Sequence, residues 1–232
     1  MPAYSLIRSR RKTLSLQITP QGELVVRAPL RLSQRIIQSF LEEKAGWIAQ
    51  HQQAARQRAA SRAQVRREGP AGLPLLGIDY PWELKPDGPA AFDGERFLLP
   101  GREFAESLPA LEALYRSLAR QTLRPLTAQW SQRLGLPIQG IRITGARTRW
   151  GSCSPKGWIN YSWRLVLAPP QAVEGVVVHE LCHLREPNHS PRFWALVRET
   201  LPTYWEDTRP LSALSQRLAR EGWDRAESAL SE

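Results

Sequence analysis

The chain has 232 residues, 42% of them hydrophobic and 23% charged, a balance that supports a buried core and excludes global disorder. It contains no run of about 18 apolar residues, so no membrane span is expected. The N-terminal MPAYSLIRSRRKTLSL lacks the apolar region of a secretion signal, and two cysteines, Cys153 and Cys182, cannot build a disulfide framework, so a cytoplasmic protein with reduced thiols is expected.

The net charge of +10 is unevenly placed. Residues 1–70 carry thirteen Lys or Arg against four Glu, whereas residues 71–232 carry nineteen against eighteen acidic residues. Such a basic segment reads either as a solvated surface or as a contact for nucleic acid or another polyanion. Of the 32 basic residues 28 are Arg, a chain-wide bias that weighs towards the solvated surface.

In chain order, YSLIRS, TLSLQIT and ELVVRAP alternate apolar and polar residues over positions 4–29 and predict strands. Ser33 then caps one long helix with Ile36, Ile37, Phe40, Leu41, Ala45 and Ile48 on its apolar stripe. The second half of that helix is rich in Arg, Gln and Ala and is expected to face solvent, and GPAGLP (69–74) ends it. Short strands are predicted in LLGIDYPWELKP and ERFLLP. A helix over about 102–134 follows, with Pro125 as a candidate kink. Residues 135–170 predict two or three strands with a hairpin at SPKG; a helix begins after Pro169-Pro170, and others cover about 192–200 and 210–221. The order gives an α+β chain, divided into a basic β-rich lobe with a long helix (1–100) and a second domain (101–232).

Three of the four histidines fall within eleven positions. His179-Glu180-Leu181-Cys182-His183 is an H-E-x-x-H motif, and a spacing of four places both imidazoles on one helical face, able to share a metal. Glu180 sits one position round, where its carboxylate reaches a metal-activated water as general base. A catalytic zinc takes three protein ligands and keeps one position open, so one Zn2+ per chain is expected. Pro187-Asn188 turns the chain back to present His189, and Ser190-Pro191 starts the next helix as N-cap and first residue. Glu186 and Glu199 are alternative third ligands. Cys182 points off the histidine face and reads as a packing residue, and His51 as a surface one.

RWGSC (149–153), the IN-x-S-x-x-L-x-L-x-P run, HELCHL and NHSPRFW together resemble the YgjP-like metallopeptidases, relatives of the SprT-like and minigluzincin zinc peptidases. YSLIRSRRKTLSLQI, GELVVRAP and the helix that includes GWI extend the resemblance over most of the chain. It implies a zincin-like domain, an active-site helix packed on a mixed sheet, with His179, His183 and His189 as zinc ligands and Glu180 as base. For the substrate, the segment Trp158 to Leu167 is the expected edge strand for pairing an extended peptide. Arg149, Trp150, Asn160, Tyr161 and Tyr204 are candidate substrate contacts, although Trp150, Trp158 and Trp163 read equally as core residues. Arg147, Arg149, Tyr161 and Tyr204 all qualify as oxyanion donors. The expected activity is peptide hydrolysis, with two rivals. One is a metal-dependent phosphohydrolase acting on nucleotides; the other is a nucleic-acid module in which basic residues 1–70 tether the site. No membrane partner is expected.

Overall fold

The computed structural model describes residues 3–222. Contacts divide the chain into two compact units, Met1–Val65 and Arg66–Glu232.

In the first unit, β1 (Tyr4–Ser9) runs parallel to β3 (Leu24–Pro29), and β2 (Ser15–Ile18) runs antiparallel to it, so β3 is central. The period of two sends Leu24, Val26 and Ala28 to one face, where they are fully buried. Ile37 and Leu41 from α1 (Gln34–Glu43) complete this core, with Ile48 from α2 (Ala45–Glu68). Ser33 caps α1 as its spacing predicts, its hydroxyl accepting from the Ile36 amide. The single helix expected here is two, because Lys44 leaves helical geometry at φ −95°, ψ 10°. Arg8 donates to the carbonyls of Pro29, Leu30 and Leu32, pinning the turn that leads into α1.

In the second unit, a hairpin of β4 (Leu73–Leu75) and β5 (Ile78–Tyr80) precedes a small sheet of order β6 (Trp82–Lys85), β8 (Phe97–Pro100), β7 (Ala91–Phe92). The sequence placed a division at residue 100, whereas contacts divide the chain at 65/66. Leu73, Phe97 and Leu99 are fully buried in one core with residues of α3 (Phe104–Leu134), and Tyr115 of that helix donates its hydroxyl to the Pro74 carbonyl at 2.8 Å. α3 buries Phe104, Leu111, Tyr115, Ala119, Leu123 and Trp130 along one stripe, and it continues through Pro125. Gly135, in left-handed conformation at φ 62°, ends it.

A mixed sheet follows, with β11 (Trp158–Ser162) between β10 (Gly151–Cys153), antiparallel to it, and β9 (Gly140–Thr144), parallel to it. The expected SPKG hairpin joins β10 to β11, closed by the Gly157 amide on the Ser154 carbonyl. The expected extended run to Leu167 stops at Ser162, and residues Trp163–Leu167 form a buried 3-10 helix. Trp163 stacks on Tyr115 there, their centroids 5.5 Å apart, so it is a core residue. α4 (Pro170–Cys182), α5 (Pro191–Thr200), α6 (Tyr204–Thr208) and α7 (Pro210–Glu221) complete the unit. Among the described residues no helix is long and apolar enough to cross a membrane.

Candidate metal centre

α4 positions the H-E-x-x-H motif. Pro170 sits in its first turn, where a missing amide hydrogen costs nothing, and Val173, Val177, Val178 and Leu181 bury its far side. The helix ends at Cys182, but His183 keeps helical angles (φ −64°, ψ −16°), so both imidazoles share a face. The chain then tightens: the amides of Arg185 and Glu186 both bond the Cys182 carbonyl. Ser190 caps α5, accepting from the Phe193 amide, with Pro191 at its start. That turn returns His189 to the other two histidines.

The ligand atoms of His179, His183 and His189 all lie within 4.8 Å of one another, the one such His, Cys, Asp or Glu cluster among the described residues. His183 Nδ1 stands 3.1 Å from the Glu186 carbonyl. A carbonyl only accepts, so Nδ1 carries the hydrogen and Nε2 keeps its lone pair. His179 Nδ1 lies 2.9 Å from the Tyr204 hydroxyl, and its Nε2 is 3.0 Å from Nε2 of His189. Two imidazole nitrogens this close need a shared hydrogen or a cation between them. Nitrogens bound tetrahedrally to one zinc stand about 3.3 Å apart, so this set of three nitrogen donors fits such an ion. Burial first, then the neighbouring His183 and His189, hold His179 down to about 4, so it is neutral at pH 7 and able to ligate. His183 is lowered by burial, an effect opposed by its bond to Glu186.

Aromatic rings fix the imidazoles in place. His183 stacks on Phe193, with centroids 4.4 Å apart, and His189 lies nearly parallel to Trp194. Gly175, one turn before His179, allows close approach of α6, since a Cβ there would stand 2.6 Å from Thr208 Cγ2. That approach brings Tyr204 to His179.

Glu180 is 6% exposed. Burial pushes its carboxyl up to about 7, against the opposing charge of Arg149. It faces β10, where a Cβ on Gly151 would lie 2.6 Å from Oε1. RWGSC thus places its glycine where any side chain would occupy the space of the carboxylate. Both elements line an open cleft of about 730 Å3 that also takes in His179, His183, His189 and Tyr204.

Of the candidate substrate contacts, Arg149, Trp150 and Tyr204 line this cleft and Asn160 and Tyr161 do not. Tyr161 is fully buried against α3, its hydroxyl paired with that of Thr127, which removes it as a substrate contact or oxyanion donor. Asn160 is spent within the sheet, its amide on Ser152. The expected edge strand is also corrected: Trp158–Ser162 is the central strand, and the edge beside Glu180 is β10. Tyr204 bonds a histidine rather than pointing free into the cleft. Arg147 lines a smaller adjoining pocket. Glu186 offers its carbonyl, not its carboxylate, to His183, and Glu199 takes no part in the cluster. Cys182 is fully buried, its thiol pushed up to about 11 by burial, as befits a packing residue. His51 stacks on Trp47 in the first unit. Leu211 of α7 lines the cleft without any local signal in the sequence.

No curated protein matches the chain. Among solved structures, the metallopeptidase zymogen of Pyrococcus abyssi abylysin is similar at 22% identity over 40% of this chain and 95% of its own, with a TM-score of 0.38. The sequence model of the YgjP-like metallopeptidase domain matches residues 12–213, across both compact units, and the chain therefore belongs to the YgjP-like metallopeptidase family.

Proposed function

We propose that the protein is a zinc-dependent peptidase with a zincin-like catalytic domain, in which His179, His183 and His189 hold the metal and Glu180 is the general base. The observation that carries this reading is the convergence of three imidazole ligand atoms within 4.8 Å beside a buried carboxylate at the wall of an open cleft. A bound zinc supplies Lewis acidity and brings the pKa of an attacking water towards neutrality. Glu180, set by the fold beside the histidines, would accept the proton of that water and deliver it to the leaving amine. Tyr204 accepts from His179 Nδ1–H and keeps Nε2 aimed at the metal position. His183 is set in the same way by the Glu186 carbonyl. Along the cleft wall, β10, the outer strand of its sheet among the described residues, offers main-chain groups to an extended peptide.

The zinc-loaded enzyme is expected to fragment unfolded protein, with new termini detected by mass spectrometry and none produced by Glu180→Gln. Phosphate release from nucleoside triphosphates, lost in His179→Ala and without peptide cleavage, would instead establish a phosphohydrolase. A second role is supported by the first unit: residues 1–65 form a compact unit and carry eleven Lys or Arg against three Glu. This unit serves as an electrostatic tether to nucleic acid, and the affinity of the whole chain for DNA should fall steeply with salt. A flat salt response would remove the tether.

A further inference from the structure

Two of the three clustered histidines are aimed by a hydrogen bond at Nδ1, His179 by the Tyr204 hydroxyl and His183 by the Glu186 carbonyl. His189 is the exposed member of the set. Its Nε2 faces His179, and among the described residues no hydrogen bond reaches its Nδ1. The terminal torsion of a histidine is broad, so an exposed imidazole without that bond keeps its direction only if its ring is packed.

The packing is a run of rings. His189 lies nearly parallel to Trp194, at 17° with centroids 5.5 Å apart, and Trp194 lies 4.9 Å from Trp205 at 32°. Among the described residues no ring contact joins His189 to Trp205 directly, so the influence of Trp205 on the imidazole passes through Trp194. Trp205 is 55% exposed. A lone exposed tryptophan needs no function by itself, but this one backs the ring that backs a candidate ligand. Its neighbour Tyr204 bonds His179, so consecutive residues of α6 reach two histidines carried by different segments, one on α4 and one just before α5. The short α6 is itself tied down. The Thr203 hydroxyl donates to the Asp207 carboxylate at 2.6 Å, and the Thr208 hydroxyl to the Tyr204 carbonyl at 2.7 Å.

We infer that Trp205, acting through Trp194, is a positioning residue for His189, and that Tyr204-Trp205 forms a two-residue clasp that sets two of the three imidazoles before a metal arrives. This rests on the reading above that the three histidines hold zinc. Stacked and tilted rings at these separations attract beyond the area they bury, and a ring already held in place has less freedom left to lose on binding. The three imidazoles are therefore aimed by different means. Hydrogen bonds aim His179 and His183, and ring packing aims His189, so a change at a surface ring two contacts away reaches the metal.

The test is zinc affinity, measured by competition with a chelator. Trp205→Leu keeps an apolar cover and removes the ring, and zinc should bind about three- to tenfold more weakly. Trp205→Phe keeps a ring and should stay within about twofold of wild type. The same loss on Trp205→Leu should appear in Tyr204→Phe protein, which retains all three imidazoles but lacks the hydroxyl that bonds His179. Wild-type affinity in Trp205→Leu overturns the clasp, as does an equal loss in the Leu and Phe variants. A loss that vanishes in the Tyr204→Phe background also overturns it, because the effect then runs through His179. In each of these cases the metal reading stands. A wild-type chain that binds zinc no more tightly than His179→Ala brings down the metal reading itself.

Discussion

Gly151 and Glu180 touch, and any side chain at Gly151 would displace the glutamate: a Cβ there would lie 2.6, 2.7 and 2.8 Å from its Oε1, Cγ and Cδ. The β10 edge and the proposed general base are thus set against each other by one missing side chain. Gly151→Ala should push the carboxylate aside and lower kcat about 100-fold, the scale of a misplacement near 1 Å. Zinc content should stay unchanged. Steady-state kinetics beside metal analysis checks this, and wild-type kcat in the variant would contradict it.

Tyr204 is expected to act through His179. Tyr204→Phe removes the hydroxyl 2.9 Å from Nδ1 and leaves the ring that packs around the imidazole. Loss of such an outer partner weakens metal binding by about 10- to 100-fold. Competition with a zinc chelator measures it. An unchanged zinc affinity with a lowered kcat would show instead that Tyr204 contacts the substrate.

Gly175→Ala tests the close approach that delivers Tyr204. The added methyl meets Thr208 Cγ2 at 2.6 Å, and overpacking of this kind costs about 1–3 kcal/mol. A lower denaturation midpoint should accompany weaker zinc binding, because α6 carries Tyr204 away as it shifts.

Glu180 also sets a pH dependence of stability in the metal-free protein. Its folded carboxyl is raised by burial to about 7, against an ordinary 4.5, with Arg149 opposing the rise. Between those values the folded chain holds a proton that the unfolded chain has released, so stability falls as pH rises through the window. The loss amounts to about 3 kcal/mol by pH 8. Chemical denaturation with chelator present, at pH 5 and pH 8, should show wild type losing most of that amount relative to Glu180→Gln. Parallel behaviour of the two proteins would place the carboxylate in water.

Much of the site is readable from local spacing. The i, i+4 histidines need only a helix, and Pro187-Asn188 followed by Ser190-Pro191 dictates a turn and restart that return His189. The partner of His179 is not readable, because Tyr204 lies 25 positions away and arrives through the packing of α6 on Gly175. Strand order is likewise tertiary. The alternation in Trp158–Ser162 marks a strand, but its pairing with both β9 and β10 is what makes it central and sends Tyr161 into the core. The small strands over 73–100 look like a continuation of the N-terminal ones. Their burial against Tyr115 of α3 assigns them to the second unit.

The most direct test of the metal and base assignment is turnover by Glu180→Gln carrying one zinc per chain. The substitution keeps the shape of the side chain and removes its capacity to take a proton, so zinc should remain bound while peptide cleavage falls by at least about 100-fold, the scale expected for a general base. Zinc retained with cleavage intact would contradict the account.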